Sequence, residues 1–296
     1  MEIIHTVVFR AGKGGGNPCP VTIDADRLLP DEMQEMTRKY GTEATFVSAS
    51  QRPDCDWKVR YFTPSHEMGM CMHGTIGTTV ALIKAGKIHS SPVWYETELG
   101  PVKIEWIRDR EQIDVAVQQF LPKVLDRVPD REEVCNLLGT NPDNLGDAPL
   151  AAVATSRYKL LVPLKNRQVL DQLTPDFDGL WEMCDRYHLT GVYPFSMPEP
   201  GENGFLFYAR QYPNRAGYNE DPATGIAASA LGAYAIMNRM VPCHEGWNSI
   251  EVRQGYKMGR PSIIFADTKV ENDKIKGTRV RGSAIILTNK EKESSL

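Results

Sequence analysis

The chain contains no apolar run approaching the roughly 18–20 residues of a membrane-spanning helix, which argues against a helical membrane protein. It also lacks a basic excess: 34 Lys and Arg stand against 38 Asp and Glu, for a net charge of -4. A nucleic-acid binder usually carries the opposite balance, so no nucleic-acid partner is expected. The six cysteines (Cys19, Cys55, Cys71, Cys135, Cys184 and Cys243) form no CxxC pair and no Cys/His group at zinc spacing. Met1 to Phe9 reads as a strand and not as a secretory signal, so the protein is expected in the cytoplasm, free of membrane contact. The glycine-rich AGKGGGNP is not a phosphate loop, because Lys13 is followed by Gly14 where a magnesium-binding Ser or Thr belongs.

What remains is an ordinary globular composition, 41% hydrophobic and 24% charged, over 296 residues, enough for two compact domains or one large one. The most informative stretch is Glu220 to Met237, EDPATGIAASALGAYAIM. Two acids, Pro222 and Gly225 lead into an unbroken series of small and apolar residues, the pattern of a helix buried on all sides. A buried helix start offers free amides and a partial positive charge, a seat for a carboxylate. Glu67 to Ile83, EMGMCMHGTIGTTVALI, looks like the same device used a second time.

In chain order, residues 2–9 suit a strand, and Asn17-Pro18 a fixed turn before a strand near Val21 to Ile23. Leu29 to Tyr40 reads as a helix with Pro30 in its first turn and Gly41 as its C-terminal cap. Glu43 follows at once, an acid set between a helix stop and the apolar strand Thr45 to Val47. Trp57 to Phe62 is another strand, and residues 93–120 read as three more, the last with Ile113, Val115 and Val117 at period two. Trp57, Tyr61, Phe205 and Tyr208 are expected in the core.

After Pro122 and Pro129 the pattern recurs: a short helix capped by Asp130, a strand at Tyr158 to Leu164, a helix near Asp176 to Tyr187, and strands around Val192 and Phe205 to Arg210. Two strands around the turn at Gly259-Arg260-Pro261 and a last strand, Arg279 to Thr288, complete the chain. An offset of 154 places Cys71 on Gly225 and Glu67 on Asp221, the register expected of a duplication. The expected fold is α+β, with two pseudo-symmetric lobes, each a curved mixed sheet or barrel around one buried helix. Residues 1–121, completed by about 279–288, form the first lobe and 122–278 the second, with 289–296 a disordered tail.

These residues resemble the PhzF-like (phenazine biosynthesis-like) proteins of the diaminopimelate epimerase fold. The matching elements are Gly16-Asn17-Pro18, Thr42-Glu43 with Ala44 to Val47, Phe62-Thr63-Pro64, Cys71-Met72-His73-Gly74-Thr75, Glu220 to Gly225, and Gln254-Gly255 with Gly259-Arg260-Pro261-Ser262. They span nearly the whole chain. The resemblance implies a cofactor-free, metal-free isomerase with its active site in an interdomain cleft and a homodimeric assembly. It assigns the acid/base role to Glu43, with His73 and Asp221 as supporting catalytic residues. Asn17, Cys71, Met72, Gly74, Thr224, Gly225 and Ile226 would contact a small carboxylate substrate.

That chemistry is physically reasonable: a carboxyl raised in pKa by a closed apolar site can remove and return one proton near neutral pH. The chain departs from the family pattern at Met72, where a glycine is usual, and at Ile226, where a serine is usual. Both point away from the phenazine precursor as substrate and toward a smaller or less polar pocket. Two other readings remain open at this stage: an amino-acid racemase or epimerase that pairs Glu43 with Cys71, and a non-catalytic ligand-binding or interaction protein.

Overall fold

The computed structural model describes residues 2–199 and 201–288; the tail expected at 289–296 lies outside them. The chain divides into two units, one from the residues up to Gln118 together with those from Arg281 on, the other Gln119–Val280. Among the described residues no helix is long and apolar enough to cross a membrane.

The first unit is built from β1 (Glu2–Val8), β2 (Asn17–Ile23), α1 (Pro30–Tyr40), β3 (Ala44–Ala49), β4 (Trp57–Phe62), β5 (Glu67–Met68), α2 (Met72–Lys84), β6 (Val93–Thr97), β7 (Gly100–Asp109) and β8 (Gln112–Gln119). β2 begins at Asn17, so the expected turn at Asn17-Pro18 is strand. Pro18 lies opposite Val7 and Pro20 opposite His5 in the pairing with β1.

The second unit follows with β9 (Lys123–Val124), α3 (Arg131–Leu138), β10 (Ala151–Ala154), β11 (Tyr158–Leu164), α4 (Arg167–Gln172), α5 (Phe177–Tyr187), β12 (Gly191–Ser196), β13 (Leu206–Ala209), β14 (Tyr212–Pro213), α6 (Gly225–Met237), β15 (Gly246–Gln254), β16 (Ser262–Glu271) and β17 (Lys274–Ile286). β17 begins at Lys274, five residues before the expected start at Arg279. From Arg281 on it belongs to the first unit, where it pairs with β1; it also pairs with β8 and closes an eight-stranded barrel with β1–β4 and β6–β8.

The two units share one pairing plan. In the first, β1 pairs antiparallel with β2, β2 parallel with β3, β3 antiparallel with β4, β4 parallel with β6, and β6 antiparallel with β7. In the second the same series runs through β10, β11, β12, β13, β15 and β16. The parallel steps need a crossover, supplied by α1 between β2 and β3 and by α4 and α5 between β11 and β12.

Both central helices are buried around their whole circumference: α2 from Met72 to Ile83, α6 from Gly225 to Ala235. Small residues make this possible, because they let strands approach the helix backbone. A Cβ at Gly77 would lie 2.5 Å from Thr6 Oγ1 of β1, and one at Gly232 3.3 Å from Thr268 Oγ1 of β16. The outer helices are amphipathic. Met33 of α1 packs with Ala44, Phe46 and Phe62, while α3 and α5 turn Val134, Leu138, Leu180 and Met183 onto Leu160, Val162 and Val192. Each such side chain contributes about 1.5–3 kcal/mol on burial. Phe205 departs from the core expectation: it precedes β13 and is exposed.

The helix starts correct the duplication register. α2 and α6 each have 13 residues, preceded by N-caps Cys71 and Thr224, so the offset is one less than 154. Cys71 therefore corresponds to Thr224, His73 to Ile226 and Glu67 to Glu220. Glu67 and Glu220 each take a two-point hydrogen bond from an arginine, Arg60 and Arg210, although these two arginines lie 150 positions apart.

Candidate active site

The first cluster is set at the start of α2. α1 stops at Gly41 in the left-handed conformation (φ 65°), a geometry that favours glycine, and the chain turns directly into β3. That turn leaves Glu43 one residue ahead of β3, whose parallel pairing with β2 puts Val21 opposite Thr45. From the other side, the β4–β5 pairing delivers the chain to Cys71 in an extended conformation. The Cys71 sulfur caps α2 by accepting from the Gly74 amide at 3.3 Å, a place usually held by Ser, Thr, Asp or Asn.

Glu43, Cys71 and His73 meet there, at 9%, 4% and 3% exposure. The Cys71 thiol donates to Glu43 Oε2 at 2.9 Å, and His73 Nε2 lies 3.5 Å from the same oxygen. Cys71 Sγ is 3.2 Å from His73 Nδ1, and Asn17 Nδ2 from the head of β2 is 3.4 Å from Nδ1. Burial, then the Glu43 and Cys19 charges, push the Cys71 thiol well above its ordinary pKa. Cys71 is therefore a protonated donor, the opposite of an activated thiolate.

Neighbouring polar groups hold this arrangement. The Thr75 hydroxyl donates to the Cys71 carbonyl at 2.7 Å and meets the Tyr61 hydroxyl at 2.8 Å. Gly74 is required by space: a Cβ there would lie 2.7 Å from Thr45 Cγ2 and 3.1 Å from Tyr61 Cδ1. Met72 is fully buried. His73 does not cap α2; Cys71 does.

The second cluster is at the start of α6. Asp221 does not extend into open space: its Oδ2 accepts a hydrogen bond from the Thr224 hydroxyl, and Oδ1 one from the Ala223 amide at 3.5 Å. Gln254 ties the same loop, accepting from the Thr224 amide at 3.2 Å and donating to the Asp221 carbonyl at 2.6 Å. The Tyr193 hydroxyl donates to Gln254 Oε1 at 2.9 Å. Gly255 (φ 78°) makes the turn possible, since a Cβ there would sit 2.2 Å from the Arg260 carbonyl oxygen.

Thr224 makes no side-chain bond to the helix it caps, and the first-turn amides of Gly225, Ile226 and Ala227 precede the first intrahelical bond, from Ala228 to Thr224. Of the residues read from sequence, Glu43, Cys71, His73, Asn17 and Gly74 thus share one cluster, and Asp221, Thr224, Gly225 and Ile226 another. Sequence reasoning did not assign site roles to Gln254, Tyr193 or Thr75, though Gln254-Gly255 lies in a recognised motif.

Comparison with known proteins places the fold and the family. The structure superposes on a PhzF-family phenazine biosynthesis protein of Bacillus anthracis with a TM-score of 0.86 at 26% identity, over 97% of this chain and 98% of the other. A probable proline racemase of Agrobacterium radiobacter, at 12% identity and a TM-score of 0.63, shares the fold over 96% of this chain and 90% of its own. Among curated proteins, an uncharacterized isomerase of Clostridium acetobutylicum is 27% identical over 290 residues, covering 96% of this chain and 95% of that protein. The trans-2,3-dihydro-3-hydroxyanthranilate isomerase of Pseudomonas aeruginosa is 28% identical over 275 residues, 90% of each chain.

The class defined by this fold and these relatives is that of an isomerase. The chain belongs to the phenazine biosynthesis-like (PhzC-PhzF) family, whose model matches residues 7–290.

Proposed function

We propose that the protein moves a proton within a small carboxylic-acid metabolite, with Glu43 as both general base and general acid. The observation that carries this reading is the nearly buried Glu43 carboxyl, whose Oε2 is held by the Cys71 thiol at 2.9 Å and faces His73 Nε2 at 3.5 Å. Glu43 takes a proton from one substrate carbon and returns it to another, so the carboxylate is regenerated and no redox change occurs. The thiol and imidazole fix the carboxyl's orientation. Amides at the start of α2 stabilise the negative charge that develops on the substrate. In the second unit the start of α6, at Gly225 and Ile226, is an equivalent seat for an anionic group. Asp221 positions that helix start through Thr224 and is assigned no proton transfer.

The Glu43–Cys71 racemase is disfavoured by the same contact. Two-base racemisation needs its acid and base on opposite faces of one carbon, whereas these two groups hydrogen-bond each other and approach a substrate from the same side.

The test is deuterium uptake from heavy water into trans-2,3-dihydro-3-hydroxyanthranilate and a panel of cyclic unsaturated acids, followed by NMR. Uptake at a position other than the abstraction site, lost in Glu43→Gln, supports the proposal. Unchanged uptake in Glu43→Gln overturns it.

A further inference from the structure

We propose that Gln211 is a specificity-determining residue of the second unit. Its carboxamide hydrogen-bonds a neutral polar substituent (hydroxyl, amino or carbonyl) on an acid seated at the start of α6. Gln211 is 0% exposed, and among the described residues neither its Nε2 nor its Oε1 has a hydrogen-bond partner. Its backbone is fixed beside the helix cap, the carbonyl accepting from the Asp221 amide at 3.0 Å. The β12–β14 register gives the side chain its direction. Val192 lies opposite Tyr212, and both pack outward with α3 and α5. Gln211 therefore faces the other way, with Tyr193, whose hydroxyl reaches Gln254 at the same helix start. Gly191 makes the room, since a Cβ there would lie 2.4 Å from Gln211 Nε2.

The first unit shows what this position meets. Gln211 follows Arg210 as Tyr61 follows Arg60. Tyr61 lies opposite Thr45 on β3, and one step beyond the Val192–Tyr212 pair brings Gln211 level with Tyr193 in the same way. Tyr61 runs along the first turn of α2: its Cδ1 is 3.1 Å from the position of a Cβ at Gly74, and its hydroxyl meets that of Thr75 at 2.8 Å. In α6 those two places are held by Ala227 and Ala228. The tyrosine has a hydroxyl to bond, whereas the counterpart helix offers the carboxamide only methyl groups.

A buried amide without a partner destabilises the free protein, and an apolar side chain of the same length would not. Groups kept at such a cost are found at binding sites, where the ligand supplies the missing bond. A carboxamide donates and accepts and carries no charge, so it selects a neutral substituent over a second anion. It also restores polarity to a helix start from which Ile226 takes it away. The acid's place at α6 rests on the anion seat proposed above; the selection itself requires no proton transfer.

The experiment titrates benzoate, 3-hydroxybenzoate and 2-aminobenzoate, by isothermal calorimetry, into the full chain as wild type, Gln211→Met and Gln211→Leu. The wild type is expected to bind at least one substituted acid about 10–100-fold more tightly than benzoate, and Gln211→Met to bind all three equally. Gln211→Met is also expected to raise the urea midpoint of the ligand-free protein, the reverse of what removing a structural amide does. Equal binding of the three acids by the wild type, binding of none, or a preference kept in Gln211→Met overturns the proposal. So does a lowered urea midpoint in both variants; where only Gln211→Met is destabilised, Gln211→Leu decides by the same comparison. A wild-type protein that shows the preference but exchanges no proton refutes the isomerase reading alone.

Discussion

Cys71 and Thr224 hold the same position in the two units, each as the N-cap of a 13-residue buried helix, 153 positions apart. Their surroundings have diverged. Cys71 meets an acid and an imidazole, while Thr224 donates to Asp221 and accepts from Gln254. The residue two after the cap is His73 in one helix and Ile226 in the other, so the first unit sets a thiol, an acid and an imidazole at its helix start and the second an acid and a hydroxyl.

Glu43→Gln removes the exchangeable acid but keeps an oxygen that can accept the Cys71 thiol. Turnover and deuterium uptake should fall about 10²–10⁴-fold, the usual worth of general acid–base catalysis. The thermal midpoint should move little. A large loss of both activity and thermal stability would instead mark Glu43 as a structural residue.

Gly74→Ala places a methyl 2.7 Å from Thr45 Cγ2 and 3.3 Å from the Cys71 sulfur. The overpacking should cost about 1–3 kcal/mol, measured by urea denaturation. Because the Gly74 amide bonds that sulfur, catalytic activity should fall further than the lost stability explains.

The two arginine–glutamate pairs should separate sharply. In the second unit the side chains are 9% and 14% exposed, and Arg210 also donates to the Leu170 and Leu173 carbonyls. Arg210→Ala leaves a largely covered carboxylate and two carbonyls without their partner and should cost about 2–4 kcal/mol, toward the range for breaking a buried pair. The first-unit pair, Arg60 and Glu67, is 24% and 35% exposed, so Arg60→Ala should cost no more than about 1 kcal/mol. Chemical denaturation of the two variants makes the comparison, and equal losses would contradict it.

Stability should fall in alkali. Burial pushes the Cys184 thiol from 9.0 up to about 12, and also raises Cys19, Cys71, Tyr61 and Tyr193. Above about pH 9 the unfolded thiol loses its proton while the native one keeps it, so the unfolded state binds fewer protons and stability declines with rising pH. The contribution is complete below pH 9 and lost as pH climbs toward 12 for Cys184. Each such thiol adds a slope of about 1.4 kcal/mol per pH unit. Urea midpoints at successive pH values should show the decline, and Cys184→Ala should reduce the slope by about one group's share.

Much of the local structure was legible in the residues. Pro30 and Gly41 bound α1, Asp130 and Asp176 cap α3 and α5, and the all-round apolar stretches at 72–84 and 225–237 announced two buried helices. These signals are local: they record which backbone amides need a partner and which faces avoid water, and both are written at short spacing along the chain.

Motif resemblance singled out Glu43, Cys71 and His73, but their contact depends on the parallel β2–β3 pairing and on the β4–β5 turn that aims Cys71. The one-residue error in the duplication register came from aligning Cys71 with Gly225, since identities between the two halves are too few to fix it. Helix caps fix it because each marks the residue where the backbone turns helical. Asp221 was marked by its motif, and its bond to the Thr224 hydroxyl is visible only in the folded chain. The sequence by itself determined the elements and their buried faces; tertiary structure decided which side chains meet, because such contacts depend on strand pairing and helix packing across the whole unit.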